Sequence, residues 1–155
     1  MLLVDDQYFN LIPLKGIIEV AYAKKCDEAV NGLLAVDMYY RNMTKTCCEI
    51  RYRVIFTDIQ MPEMDGITEL KQIKHHEKNL RSKNPALNEI VIVMVSAFDE
   101  LDVIQKCFDL GAKDYFIKPV SAQKVKNICN TMFSKVRQKQ TKKPSSRYNQ
   151  FAIDN

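Results

Sequence analysis

Four apolar runs in this sequence end in polar side chains that could do chemistry together. Asp5 and Asp6 follow Leu2-Leu3-Val4, Asp58 follows Val54-Ile55-Phe56-Thr57, Ser96 follows Ile90 to Val95, and Lys118 follows Tyr115-Phe116-Ile117. Three carboxylates held close repel one another and raise each other's pKa unless a cation compensates. Carboxylate and carbonyl oxygens suit Mg²⁺ better than a soft metal, and Mg²⁺ keeps several waters while taking one or two carboxylates and a phosphate oxygen. The set therefore points to phosphoryl chemistry and away from a structural metal cage. Phosphoryl transfer is chiefly positioning and neutralisation of charge on the phosphoryl oxygens. Lys118 would bring an ammonium to one oxygen and the Ser96 hydroxyl would donate to another. Asp58 would be the nucleophile, forming an acyl phosphate.

Taken singly, each residue has a plainer role: Asp5-Asp6 a helix-capping pair, Ser96 a turn residue, Lys118 a surface lysine. Asp65-Gly66 reads as a turn and helix start and nothing more. The conjunction at four strand ends, in this chain order, is what outweighs the separate plain readings.

The elements that must position these groups follow from the apolar pattern. Leu2-Leu3-Val4 is a short first strand, Cys26 to Val30 a weaker second and Val54 to Thr57 a third. Ile90 to Val95 is β-branched without polar alternation, as in a central strand covered on both faces. Tyr115-Phe116-Ile117 is the fifth. Between them, Leu11, Leu14, Ile17, Ile18 and Ala21 fall at helical spacing, and Pro13 is tolerable there if Asn10 is the N-cap. Further helices are expected over Leu33 to Asn42, Ile67 to Asn79, Glu100 to Leu110 and Ser121 to Arg137, with Gly111 as a left-handed cap. Five βα units with short connections imply an α/β fold, a doubly wound parallel sheet of five strands flanked by five helices. In such a sheet the carboxyl ends of the strands share one edge, where these polar groups can converge. Two stretches, Arg41 to Glu49 and His75 to Glu89, exceed what the fold requires and are expected as extended helix ends or surface loops away from that edge.

At 155 residues, with 46% apolar and 27% charged residues, the chain is one globular domain with a tail. No apolar stretch approaches the roughly 20 residues needed to span a bilayer, and Asp5-Asp6 interrupt the first run too early for a signal peptide. The five cysteines (Cys26, Cys47, Cys48, Cys107, Cys129) lack zinc-site spacing and read as reduced thiols, the neighbouring Cys47-Cys48 pair included. Lys135 to Arg147 contain six basic residues and no acid, so the net charge of +4 belongs to the tail and the body is near neutral. The domain is expected over residues 1–137, and 138–155 as a basic, polar, disordered tail. With no basic patch on the body, nucleic acid is not expected as a partner.

The chain resembles the receiver domains of two-component response regulators and hybrid sensor histidine kinases, over roughly residues 2–137. The resemblance rests on Leu3-Val4-Asp5-Asp6, on Asp58-Ile59-Gln60-Met61-Pro62-Glu63-Met64-Asp65-Gly66, on Val95-Ser96-Ala97, on Tyr115-Phe116-Ile117-Lys118-Pro119, and on Ala29-x-Asn31-Gly32. It implies a flavodoxin-like fold with strand order 2-1-3-4-5. It implies that Asp58 takes phosphate from a phosphohistidine on a histidine kinase or phosphotransfer protein. Asp6, Asp58 and the Gln60 backbone carbonyl would ligate Mg²⁺ (or Mn²⁺ in its place), with Asp5 assisting through water. Ser96 and Tyr115 would be the switch pair, and Lys118-Pro119 a cis peptide. The face of the fourth helix, fifth strand and fifth helix would carry the output and a possible homodimer. The expected setting is the cytoplasm, either alone or as the cytosolic terminal receiver of a longer hybrid kinase, towards which Gln60-Met61-Pro62 leans. Slow autodephosphorylation would accompany self-phosphorylation. Two other readings are a receiver-like binding module that never takes phosphate, and an aspartyl-phosphate phosphohydrolase of the haloacid dehalogenase type. The latter wants a second Asp two residues after the first, and position 60 is Gln.

Overall fold

A computed structural model of the chain describes residues 1–44 and 51–140, with side chains of the last helix described through Met132. The elements run β1 (Leu2–Val4), α1 (Tyr8–Tyr22), β2 (Asp27–Ala29), α2 (Gly32–Thr44), β3 (Val54–Thr57), α3 (Gly66–Lys83), β4 (Val91–Ser96), α4 (Leu101–Asp109), β5 (Asp114–Ile117) and α5 (Ala122–Gln140). The five strands form one parallel sheet in the order β2-β1-β3-β4-β5, as the sequence pattern and the resemblance imply. Register does the positioning. Val4 pairs with Thr57, so Asp5 and Asp58 leave adjacent strands at the same level; Ser96 pairs with Ile117, one residue before Lys118.

Alternate residues of each strand enter opposite core layers, as the two-residue period requires. Leu2, Val4, Ile55, Ile92, Met94 and Tyr115 face α2, α3 and α4. Leu3, Val54, Phe56, Val93, Val95 and Phe116 face Leu11, Leu14 and Ile18 of α1 and Val125 and Cys129 of α5. Cys26, Cys107 and Cys129 are buried free thiols. The Cys47-Cys48 pair and residues 141–155, most of the expected tail, lie outside the described residues. Among those described, no helix is long and apolar enough to cross a membrane.

The start of α1 departs from expectation. Asn10 is not the N-cap: the helix begins at Tyr8 with Gln7 in the cap position, and Pro13 lies inside it. The reason is Asp5, whose Oδ1 accepts both the Gln7 backbone N–H and the Asn10 side-chain amide, each at 2.9 Å. Asp5 thus holds the cap residue and the Asn10 side chain from upstream, and Asn10 is helical. Pro13 is exposed on the solvent side of α1, where a missing helical hydrogen bond costs least. Ala21, expected inward, is exposed. The His75–Glu89 stretch proves to be largely helix, because α3 continues to Lys83. Gly111 caps the turn after α4 at φ +97°.

Candidate functional site

The carboxyl edge of the sheet gathers the polar strand ends into one cluster. Carboxylate oxygens of Asp5, Asp6 and Asp58 lie within 4.8 Å of one another. Lys118, in the β5–α5 connection after β5 and joined to Pro119 by a cis peptide, reaches back between two of them: Nζ donates to Asp5 Oδ2 and to Asp58 Oδ2, both at 2.7 Å. Asp58 is held on every side. Its N–H donates to the Val4 carbonyl at 2.9 Å, and its Oδ1 accepts the Ile59 N–H at 2.7 Å. Gly66 lies so close that a Cβ there would overlap the Asp58 carbonyl oxygen.

Burial raises the Asp58 pKa above the ordinary carboxylate value, with Lys118 opposing and Asp5 adding to the rise. For Lys118, burial works against the ammonium, but its hydrogen bonds to Asp5 and Asp58 and their charges outweigh it, and the pKa is raised. Asp58 is thus a buried carboxylate whose ionised form is favoured by the lysine at its side and opposed by burial.

The three acids are not equivalent. Asp5 is buried and its carboxylate serves three donors: Gln7, Asn10 and Lys118. Asp6 is half-buried, bonded to the exposed Gln7 amide at 3.0 Å, and lines a shallow depression with Ile59, Gln60, Met61, Pro62, Asp65 and Ile67. Three carboxylates facing one ammonium leave an excess of negative charge open on the Asp6–Gln60 side. Hard oxygen donors in that arrangement fit Mg²⁺.

The loop from β3 into α3 is fixed by short-range geometry. Glu63 adopts a left-handed φ of +65°, and the Met64 N–H donates to the Pro62 carbonyl at 2.7 Å. Asp65 caps α3 through the Thr68 N–H at 2.7 Å, the plain role the sequence suggests. The Asn31-Gly32 turn braces this loop. Asn31 Oδ1 caps α2 at the Leu34 N–H, while the Gly32 N–H donates to the Met64 carbonyl at 3.1 Å. A Cβ at Gly32 would stand 2.7 Å from that carbonyl oxygen, so glycine is required by close approach.

Ser96 and Tyr115 meet at a residue that sequence reasoning did not single out as their link. The Phe98 N–H donates to Ser96 Oγ at 3.2 Å, and the Tyr115 hydroxyl donates to the Phe98 carbonyl at 3.0 Å. Both backbone groups of Phe98, in the β4–α4 connection, are therefore tied to the switch pair. Burial raises the Tyr115 pKa, with the nearby Ser96 hydroxyl opposing.

Sequence reasoning also missed Glu69. Its side chain is fully buried on α3, with Oε2 2.6 Å from Thr57 Oγ1 and Oε1 without a partner among the described residues. The signal was its spacing, three residues after Gly66 and four before Ile73, both buried on the same helix face.

A family model described as "Response regulator receiver domain" matches residues 1–130. The chemotaxis protein CheY of Bacillus subtilis is 32% identical over 130 residues, 84% of this chain and 93% of that protein. Among solved structures, CheY in a CheX-CheY-BeF3-Mg+2 complex from Borrelia burgdorferi superposes with a TM-score of 0.68 at 29% identity, covering 85% of this chain and 87% of that one. A co-crystal of the Saccharomyces cerevisiae histidine phosphotransfer protein Ypd1 with the receiver domain of the response regulator Ssk1 gives 0.70 at 26% identity, covering 84% and 86%.

Proposed function

As a chain that belongs to the response regulator receiver domain family, and so to two-component signalling, this protein, we propose, takes a phosphoryl group onto Asp58 from a phosphohistidine. The observation that carries this reading is the Asp58 carboxylate, buried and polarised between the Ile59 N–H and the Lys118 ammonium. An Asp58 carboxylate oxygen attacks phosphorus, the phosphorus–nitrogen bond to the donor imidazole breaks, and the imidazole leaves with the bonding pair. Lys118 neutralises the phosphoryl oxygen nearest Asp58, and the Ser96 hydroxyl donates to another.

Receiver domains bind Mg²⁺ at an acidic site. Here Asp6, Asp58 and the Gln60 carbonyl would hold it, with Asp5, already committed to three donors, acting through water. Mn²⁺, also an oxygen-seeking cation, would serve in its place. When bound, the ion supplies charge neutralisation to the transferring group. The donor would be a histidine kinase or a histidine phosphotransfer protein. The receiver unit would close with α5, which runs to Gln140, three residues past the expected boundary at 137, in a cytoplasmic setting or as the terminal receiver of a hybrid kinase.

The test is intact mass after incubation with acetyl phosphate and Mg²⁺. Wild-type chain should gain one phosphate, and Asp58→Asn should gain none. A gain that persists at the same site in the variant would sink the assignment. The exposed apolar side chains Leu101, Phe108 and Ile117 support self-association through the α4–β5–α5 face. Light scattering should then show a larger mass with beryllofluoride and Mg²⁺ than without; equal masses would refute it.

A further inference from the structure

The most deeply buried carboxyl beneath the site belongs to none of the groups in the acidic cluster. Glu69 is 0% exposed, against 3% for Asp5 and 8% for Asp58. Among the described residues its one side-chain partner is Thr57, the residue before Asp58, whose Oγ1 lies 2.6 Å from Glu69 Oε2 and 3.2 Å from the Asp58 backbone carbonyl oxygen.

A threonine hydroxyl has one hydrogen to give and lone pairs to accept with. An ionised Glu69 and the Asp58 carbonyl are both acceptors, so a single hydrogen could not serve the two. The contacts all find a donor and an acceptor only when Glu69 carries a proton. Glu69 then donates to Thr57, and Thr57 donates to the Asp58 carbonyl. Burial agrees, since it pushes the Glu69 pKa up to about 8, with the Thr57 hydrogen bond opposing. The other titratable groups in or beside this core layer are Tyr39 and Tyr40 on α2, Tyr52 before β3, Asp58 after it, Glu77 on α3, Cys107 on α4 and Tyr115 on β5, and none contributes a charge effect at Glu69.

We propose that Glu69 is a positioning residue: as a neutral acid it orients the Thr57 hydroxyl onto the Asp58 carbonyl and so fixes the backbone that presents the phosphoacceptor. The proposal rests on Asp58 being that acceptor. Gly66 already bars the same carbonyl from moving towards α3. Losing the Glu69 proton turns the Thr57 hydrogen towards the carboxylate, releases the Asp58 carbonyl, and adds a buried negative charge behind a cluster that must accept more.

Two measurements on the full chain test it. In the infrared, wild-type protein at neutral pH should show the carbonyl stretch of a buried protonated carboxylic acid, absent from Glu69→Gln. In phosphorylation by acetyl phosphate with Mg²⁺, Glu69→Leu and Thr57→Val should each react about tenfold more slowly, a loss of about 1.4 kcal/mol of transition-state stabilisation. Glu69→Gln, whose amide can still donate to Thr57, should recover most of that rate. It should also lack the decline that wild type shows as pH rises through about 8. Glu69→Leu reacting at the wild-type rate, no protonated-acid band, or an alkaline decline that persists in Glu69→Gln would each overturn the proposal. Wild-type chain that gains no phosphate would overturn the Asp58 reading instead, and the infrared band reports on Glu69 regardless.

Discussion

Lys118 stands between two buried carboxylates, and what they do without it follows from charge. Truncation to alanine leaves Asp5 and Asp58 facing each other with no ammonium between them. Lys118→Ala should lose roughly 2–3 kcal/mol of stability in the absence of divalent ions, since an uncompensated buried charge costs more than the pair contributed. Mg²⁺ should restore part of it, so the melting temperature of the variant should rise more on adding Mg²⁺ than that of wild type; equal rises would count against the shared acidic site. Glu69 sets a different dependence. The folded state keeps its proton up to about pH 8, whereas an unfolded chain releases it near 4.5. The contribution of Glu69 to stability is therefore full below the lower value, falls as pH rises to the higher, and then levels, a loss of roughly 5 kcal/mol from this group. Urea midpoints measured across that range should fall in wild type and stay flatter in Glu69→Gln. The strand-end residues were legible in sequence because each closes an apolar run. Glu69 was not, because a glutamate among Thr68, Lys71 and Gln72 has the look of a solvent-facing helix position, and only its spacing to Gly66 and Ile73 says otherwise.

At the scale of elements, close approach decides what two helical glycines tolerate. Gly66 opens α3 against the Asp58 carbonyl, and its N–H donates to the Ile59 carbonyl at 2.9 Å. Gly66→Ala must push the phosphoacceptor strand and α3 apart, costing roughly 2–4 kcal/mol and most of the phosphorylation rate. Gly16 lies in α1 with nothing within 4 Å of where a Cβ would stand. Gly16→Ala should stabilise by roughly 0.5–1 kcal/mol, since alanine loses less backbone entropy in a helix. Chemical denaturation of both variants checks the contrast, and a stable, active Gly66→Ala would refute it. β1 and β3 were readable to the residue from their apolar runs. The start of α1 was not, because Asn10, read as its cap, instead gives its side-chain amide to Asp5 from within the helix. The end of α3 was underestimated because the polar run after Asn79 hides Leu80, which packs on the core and carries the helix on to Lys83.

For the whole molecule, topology was legible because parallel strands joined by helices admit few arrangements, and the apolar, β-branched β4 declared itself central. What no pattern gave is the register that sets Asp5 level with Asp58, or the meeting of Ser96 and Tyr115 at Phe98; both depend on how separate units dock. The same wiring gives the domain two unlike ends. Connections that leave strands build the cluster of Asp5, Asp58, Ser96 and Lys118, while those that enter strands close the opposite end. There Lys74 clamps the approach to β4, donating to Glu77 at 3.0 Å and to the Ile90 carbonyl at 2.9 Å. Between that clamp and the end of α3, Asn84 to Ala86 are exposed and bear on none of the site residues. A fluorophore, an affinity tag or a fused reporter grafted between Pro85 and Ala86 would thus ride on the far pole of the domain, leaving the chemical pole and the α4–β5–α5 face free to be watched at work.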